Sequence, residues 1–392
     1  MTSKLPTMHP IWSDSVVDAL GVNVHYGFNT TVYGNTNAVT NYVKLLGARH
    51  VRDRMIPQSQ PQRDAFADLA SYGIRAHVSL GKATDLPMTV AEMNSLLTPI
   101  RLSPATYSSV SNVNEPQQVG GWVQKVVDHQ RLISECLTGA GLHTARVGPA
   151  LQDAIPTMDA DYVAVAKTHI SDYLDYGDFH RYPLSGNTGN LPTPSSLVDD
   201  RLAKSMSAYK HPSFWTEGGF NTGMKVVGAG NPIPEDLQAL YTPKMWFEAV
   251  LRNIKRVFIY ELLDDPDELE WESNFGLVNC PSLNPVTWEA KPVFAAIAHL
   301  ASELSDRGPV VTPTPVKLRV STPLTVRKLL VGKRSGEVTL YLWQDVANWD
   351  KASNKRVAAP VVQAHIERPK KSWTVSIGEE IVAVPVRKAK GK

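Results

Sequence analysis

Cysteine is nearly absent: Cys136 and Cys280 are the only two in 392 residues. A chain this long with two thiols does not rest on disulfides, and both are read as buried or idle. No Cys/His cluster has zinc-ligand spacing, and there is neither a Walker A loop nor a G-x-G-x-x-G turn. These absences remove the sequence signatures of a structural zinc site, a P-loop NTPase and a dinucleotide-binding fold. No metal and no cofactor is expected. No run approaches the roughly 20 apolar residues that span a bilayer. Met1 to Pro10 carry Lys4 without the apolar core of a Sec signal peptide behind it. Location is therefore open between the cytosol, a virion, and export with a leader removed.

Apolar residues make up 43% and charged residues 20%, a globular balance that excludes a mostly disordered chain. The length allows two or three domains, or one large barrel with an appendage. The net charge of +2 hides an asymmetry: residues 307–392 hold 17 Lys/Arg against 6 Asp/Glu, and residues 1–306 hold 23 against 32. The break falls at Asp306-Arg307-Gly308-Pro309 and the Pro/Thr-rich residues up to Pro315. The expected organisation is a first domain over residues 1–306, a linker over 307–315 and a C-terminal domain over 316–392. A basic appendage can meet nucleic acid, an anionic envelope polymer or an acidic protein face. The plainer expectation is that it docks on the acidic first domain; nucleic acid is not expected as a partner.

Residues 1–306 alternate short β-rich runs with helical patterns. The runs are Gly21–Gly27, His50–Arg54, Ile74–Leu80, Ser108–Asn114, Ala145–Pro149, Tyr176–His180, Ser213–Glu217 and Arg256–Glu261. Helices are predicted after them, near 37–46, 62–72, 90–100, 122–138, 159–173, 195–209, 235–254 and 292–304. Alternating strands and helices imply parallel βαβ units. Eight such units in roughly 290 residues predict an α/β (β/α)₈ TIM barrel rather than an open doubly wound sheet. Residues 316–386 show only short alternating or β-branched runs between turn signals, which predict a small all-β, sandwich-like domain. The Lys-rich tail after Arg387 is expected to fray.

In a (β/α)₈ barrel, chemistry gathers at the C-terminal ends of the strands. Those ends carry Arg52 and Arg54 on the second run, Asn114-Glu115-Pro116 on the fourth, and His180-Arg181-Tyr182 on the sixth. Glu217-Gly218-Gly219 ends the seventh, and Glu261 and Asp264 end the eighth. Glu115 and Glu217 are distant in sequence, yet their strands can aim across one mouth. Two carboxylates flanking a glycosidic bond are what glycoside hydrolysis needs, one protonated as general acid and one ionised as nucleophile or base. An Arg and a Tyr beside the ionised member would hold it charged.

Asn114-Glu115-Pro116 after the fourth strand and Trp215-Thr216-Glu217-Gly218 at the seventh resemble the signature of clan A retaining glycoside hydrolases, with details similar to families 39 and 5. His180-Arg181-Tyr182 resembles their His-x-Tyr at the sixth strand, Val51-Arg52 their second-strand Arg, and Gly21–His25 a family 39-like opening strand. The resemblance spans roughly residues 20–300. It implies a (β/α)₈ barrel, Glu115 as acid/base, Glu217 as nucleophile and Asn114 on the sugar 2-hydroxyl. It also implies Arg52 and Tyr182 beside Glu217, and His180 lining the site. Tyr260-Glu261 at the eighth strand and the paired arginines at the second depart from the pattern.

The remaining candidates rest on placement alone. Trp271, between Glu270 and Glu272, is an aromatic platform for a sugar face or a packing residue of the cap. Trp122 offers a second platform. Trp215 is counted with the substrate-binding residues, as are His25 and Glu261. Glu261 is otherwise a buried partner for an arginine, and His25 and His77 either line the mouth or are structural. Trp246 and Phe247 sit in a helical pattern and are expected in the core. The expected activity is hydrolysis of O-glycosidic bonds in a poly- or oligosaccharide by double displacement. Its rivals are a transglycosylase with the same residues and a non-catalytic carbohydrate-binding or structural protein on a degenerate barrel.

Overall fold

A computed structural model describes residues 5–152, 158–183, 191–226, 231–267 and 269–389. Eight parallel strands form one sheet: β1 Leu20–Asn23, β2 His50–Arg54, β3 Arg75–Ser79, β4 Tyr107–Ser111, β5 Ala145–Val147, β6 Gly177–His180, β7 Ser213–Gly218 and β8 Val257–Ile259. The order β5-β4-β3-β2-β1-β8-β7-β6 runs round the sheet, and a parallel bridge between Val147 and Tyr176 joins its two ends. The helices α1 Thr36–Leu46, α2 Gln60–Ser71, α3 Val90–Leu102, α4 Trp122–Gly139, α5 Met158–Ala166, α6 Pro194–Tyr209, α7 Glu235–Leu251 and α8 Pro292–Leu304 follow the strands in turn. This is the predicted (β/α)₈ barrel.

Local chemistry sets most helix starts. Asn35, Ser59 and Thr193 accept N-terminal amides of α1, α2 and α6. Thr89 and Glu92 form a reciprocal capping box on α3. The helix predicted over 159–173 stops at Ala166, and a 3₁₀ turn takes up Ile170–Tyr173. Thr168 bends the chain between them, its hydroxyl donating to the Val165 carbonyl and accepting from the Ile170 amide.

The barrel is filled in layers. At its N-terminal end Arg256 donates to His50 Nε2 at 2.9 Å, with Asp18 of the short helix Ser13–Asp18 at 3.3 Å. Burial and the Arg256 charge push His50 down to about 3, so the ring is neutral and accepts. His77, Phe214, Phe258 and Val147 fill the middle. His77 is fully buried beside Ser109, 2.8 Å away, and is therefore a core residue rather than part of the mouth. The top layer is polar, with Asn23, Arg52, Asp178, Thr216 and Glu217 all buried.

The C-terminal region is a sandwich of β9 Arg319–Ser321, β10 Val326–Gly332, β11 Val338–Gln344, β12 Val362–Arg368, β13 Lys371–Ile377 and β14 Val382–Arg387. The sheet containing β10-β11-β14 packs on β9-β12-β13 around Leu318, Leu340, Leu342, Ile366 and Ile377. The N-terminus departs from the expected boundary. Ile11–Trp12 extends the first of these sheets in parallel beside β10, and Thr7–Met8 pairs with Val316–Lys317. Two-residue strands give no periodicity to read. They form because they satisfy exposed backbone groups at a strand edge.

The sandwich docks on α7. Tyr341 and Trp343 of β11 face Phe247, ring centroids 5.5 Å apart in both cases. Trp343 also donates to the buried Glu248 at 2.9 Å. Trp246 and Phe247 are fully buried, as expected of core residues. Several basic residues of the sandwich pair with acids of the barrel: Arg356 with Asp236 at 3.3 Å, Arg334 with Asp306 at 3.6 Å and Arg327 with Glu248 at 3.7 Å. These pairs support docking on the acidic first domain.

The shared core predicts a single unfolding event. Trp343→Ala should cost about 3–5 kcal/mol and lower one calorimetric transition for the whole chain. Residues 1–306 expressed alone should be insoluble, because the outer face of α7 is left bare. Two separate transitions would contradict this.

Candidate active site

Strand register decides which side chains reach the mouth. On β7, Phe214 and Thr216 point into the barrel and Trp215 points out, stacked on Phe179 at 5.6 Å. Simple alternation would send Glu217 outward as well. The pairing of β7 shifts at that point against both neighbours: Trp215 faces Val257 and Gly218 faces Ile259, while Phe179 faces Trp215 and His180 faces Glu217. This bulge re-aims Glu217 into the mouth. The indole of Trp215 donates to the Glu217 carbonyl at 2.7 Å. A side chain at Gly218 would strike that indole, so the curl requires glycine.

Glu115 arrives differently. After β4 the chain rises through Asn112, whose amide is held by the Val126 carbonyl and Gln130. Glu115 itself has φ 44 and ψ 62, a left-handed conformation for a non-glycine residue. Preceding Pro116 makes that conformation less favourable still. Such strain costs on the order of 1–3 kcal/mol and gathers at functional positions.

The two carboxylates meet over one imidazole. His180 Nδ1 is 2.8 Å from Glu115 Oε1 and 3.4 Å from Glu217 Oε2. One oxygen of each glutamate and this nitrogen all lie within 4.8 Å of one another. His180 Nε2 is buried and has no partner among the described residues, so Nδ1 carries a proton toward the carboxylates whether the ring is neutral or charged. Arg52 donates to Glu217 Oε1 at 2.6 Å, to Asn114 Oδ1 at 2.6 Å and to Asn23 Oδ1 at 2.8 Å. Tyr182 donates to Glu217 Oε2 at 2.9 Å. Asn23 in turn donates to the Thr216 carbonyl at 3.0 Å, which locks β1 to β7 beneath the site.

Burial alone would raise Glu217. The charges of His180 and Arg52 and the hydrogen bonds from Arg52 and Tyr182 outweigh it, and the carboxyl sits below its ordinary value. Burial likewise pulls His180 down, but the two glutamates pull it up further, and it sits above the usual histidine value. Tyr182 is held well above the usual phenol range by burial and by Glu217, so it stays a donor. Asp178 lies under this layer, pushed up to about 7 by burial, and accepts from Thr216 at 2.8 Å.

A cleft of about 340 Å³ opens over Glu115 and Glu217, lined also by Asn114, His25, Tyr182 and Trp271. Five sequence candidates are absent from its lining: Arg52 and His180, which are buried against the two carboxylates, and Trp215, Glu261 and Trp122. Trp215 is fully buried on the outer face of β7 because of the alternation described above. Glu261 lies behind the cleft, not in it. Its carboxylate accepts from Tyr33 at 2.6 Å and stands 3.1 Å from His25, out of line for a hydrogen bond, so its partners are a tyrosine and a histidine rather than an arginine. Trp122 is likewise absent from the lining and packs on the core. Other residues of the site had not been singled out. Phe28, 47% exposed, stacks on His25 at 5.1 Å, and Tyr260 and Phe275 build an aromatic wall with Tyr182 and Trp271. Gln152 and Glu272 complete the rim. Asn23, Asp178 and Thr216 did leave a signal, as polar residues inside otherwise apolar strands. A larger cavity of about 530 Å³, between Thr222–Lys225 and Asp264–Pro266, contains neither glutamate.

Glu115, His180 and Glu217 also have the spacing of a metal-binding triad. Their donor atoms are already paired with one another and with Arg52, whose guanidinium would repel a cation from Glu217. These pairings and the adjacent guanidinium disfavour a cation at the set.

No protein-family profile matches the chain, and no curated protein matches its sequence. Solved structures do match in fold. A family 39 glycoside hydrolase from the gut symbiont Bacteroides cellulosilyticus aligns with a TM-score of 0.62 at 14% identity, covering 96% of this chain and 82% of that one. An endo-beta1,6-glucanase aligns with a TM-score of 0.60 at 12% identity, covering 99% and 94%. The catalytic domain of a family 30 xylanase C from Talaromyces cellulolyticus aligns with a TM-score of 0.50 at 15% identity, covering 87% and 85%. The chain thus shares the barrel fold of these glycoside hydrolases.

The depressed Glu217 can be tested by titration. Carboxyl carbon NMR should place it below its ordinary 4.5. Tyr182→Phe should move it up, since the ionised form loses a donor. A depressed carboxylate stabilises the fold above its unfolded value, and that contribution fades as pH falls through the folded one. The melting-temperature advantage of the wild type over Tyr182→Phe should therefore be full at neutral pH and shrink under acid. An unmoved or lowered value in the variant would refute the assigned hydrogen bond.

Proposed function

We propose that the chain is a retaining glycoside hydrolase acting on O-glycosidic bonds of a poly- or oligosaccharide. The observation that carries this is the carboxylate pair, whose nearest oxygens lie within 4.8 Å. Retaining enzymes hold their carboxyls about 5–5.5 Å apart, and inverting ones about 6.5–9.5 Å to admit a water. The asymmetry of the pair supports separate roles. Glu217 is held ionised by Arg52 and Tyr182 and is the nucleophile. Glu115 has twice the side-chain exposure, 24% against 12%, and its hydrogen bond is to His180; it is the acid/base.

Glu115 delivers its proton to the leaving oxygen as Glu217 Oε2 attacks the anomeric carbon and forms a glycosyl ester. Glu115, now ionised, takes a proton from water, and the resulting hydroxide displaces Glu217 and releases the sugar with retained configuration. His180 steadies both carboxylates through Nδ1. Asn114, its carbonyl oxygen turned to Arg52, keeps its NH₂ for the sugar 2-hydroxyl. Phe28 and Trp271 offer flat apolar faces to the ring. A degenerate, purely binding barrel would have no need of Arg52 and Tyr182 on an ionised glutamate.

Screening polysaccharides for reducing-end release identifies a substrate, and product masses longer than the substrate would mark a transglycosylase. Glu217→Gln and Glu115→Gln should each reduce turnover about 10³-fold or more on glycosides with poor leaving groups. With an activated leaving group, azide should rescue Glu115→Ala to a glycosyl azide of retained configuration. Azide should instead convert Glu217→Ala to the inverted product. Exchanged stereochemistry would reverse the roles, and unchanged activity in both variants would overturn the reading. Chelators should leave activity intact; a loss reversed by a divalent ion would favour the metal triad.

A further inference from the structure

The geometry points to Arg54 as the reader of a negative charge on the substrate, a uronic acid carboxylate or a sulfate ester on the sugar that stays with Glu217. This inference rests on the glycosidase reading. Along β2 the side chains alternate: Val51 is fully buried on the outer face, and Asp53 is held by the α2 side chain of Gln62 at 2.9 Å. Arg52 and Arg54 therefore share the inner face, with Arg54 about 7 Å further up the strand. Arg52 is committed to Glu217, Asn114 and Asn23. The guanidinium of Arg54 makes no hydrogen bond or ion pair among the described residues.

Arg54 stands where two cavities meet. A side cavity of about 140 Å³ shares Asn114 and Glu217 with the main cleft. It joins a groove of about 390 Å³ over β3 through Arg54 and Ile56, and Lys82 on that groove also has an unpaired ammonium. The acids along this path are engaged. Asp53 holds Gln62 and the Arg54 amide, Asp85 accepts the Lys82 amide, and Glu92 caps Thr89. The path therefore presents unpartnered cations and occupied carboxylates. Its direction follows from the catalytic pair: the side cavity touches Glu217 and Asn114 but not Glu115, which stands over the leaving group. A half-buried guanidinium beside a polar cleft matches two oxygens of a carboxylate or a sulfate bidentately.

The test uses the intact chain carrying Glu115→Gln, so that ligands bind without turnover, with wild-type cleavage measured in parallel. Oligogalacturonate, hyaluronan and chondroitin 4-sulfate oligosaccharides are compared by calorimetry with their carboxyl-reduced or desulfated counterparts, and with laminari- and cello-oligosaccharides. An anionic glycan should bind best, and removing its charge should weaken binding about 10- to 100-fold. Which of the two neutralisations matters tells a carboxylate from a sulfate. Adding Arg54→Gln should collapse that preference to within a few-fold, and Arg54→Lys should restore part of it. The Arg54 guanidinium bonds to no described residue, and its backbone bonds to Asp53 and Gln62 survive substitution, so both variants should melt within about 2 °C of the parent. A preference for neutral glycans would overturn the role of Arg54 and leave the glycosidase reading standing. So would an equal loss on charged and neutralised forms in Arg54→Gln. If no glycan is bound or cleaved, the glycosidase reading itself falls.

Discussion

The buried pair between Arg52 and Glu217 is the contact on which the mouth of the barrel depends. One guanidinium spans four strands: it stands on β2, reaches Asn23 on β1 and Asn114 after β4, and meets Glu217 on β7. An unpaired charge at this depth would cost several kcal/mol, so each member requires the other. Buried ion pairs often add little net stability over an apolar substitute. Here the pair fixes position and charge state, and a polar layer tops a barrel whose middle is Phe214, Phe258 and Val147.

The same contact separates the two glutamates. Both approach His180, yet only Glu217 also receives a guanidinium and a phenol. One carboxylate is thereby stabilised as an anion, and the other is left nearer solvent on a strained left-handed residue before Pro116. In the proposed reaction, this difference in environment, not in residue type, would let two identical side chains divide acid and nucleophile work.

Away from the mouth, α7 is the element that unites the molecule. Buried at every position from Leu240 to Ala249, it serves as a barrel helix on one side and as the platform for β11 on the other. No described residue of the sandwich lines the cleft. It covers the apolar outer face of α7 and, with the strand Ile11–Trp12, ties the N-terminus back to it.

The alternation of strands and helices was legible because local signals agreed: β-branched runs, capping residues and turns recur in eight units, and a barrel is the closed form such units take. Glu115, Glu217, Arg52, Asn114, His180 and Tyr182 were legible because strand ends are where such a barrel exposes side chains. Trp215 was misplaced because sequence shows alternation but not the bulge that breaks it two residues later. Glu261 was misplaced because its partners, Tyr33 and His25, come from the segment after β1. Trp271 was named from its place between Glu270 and Glu272 and does line the cleft, but Tyr260 and Phe275 beside it, and the platform at Phe28, come from loops whose meeting has no sequence period. Sequence by itself determined the elements, their order and the residues at strand ends, since those follow from local pattern. Only the tertiary structure decided which of them face one another, because register, bulges and loop packing are set by contacts between segments far apart along the chain.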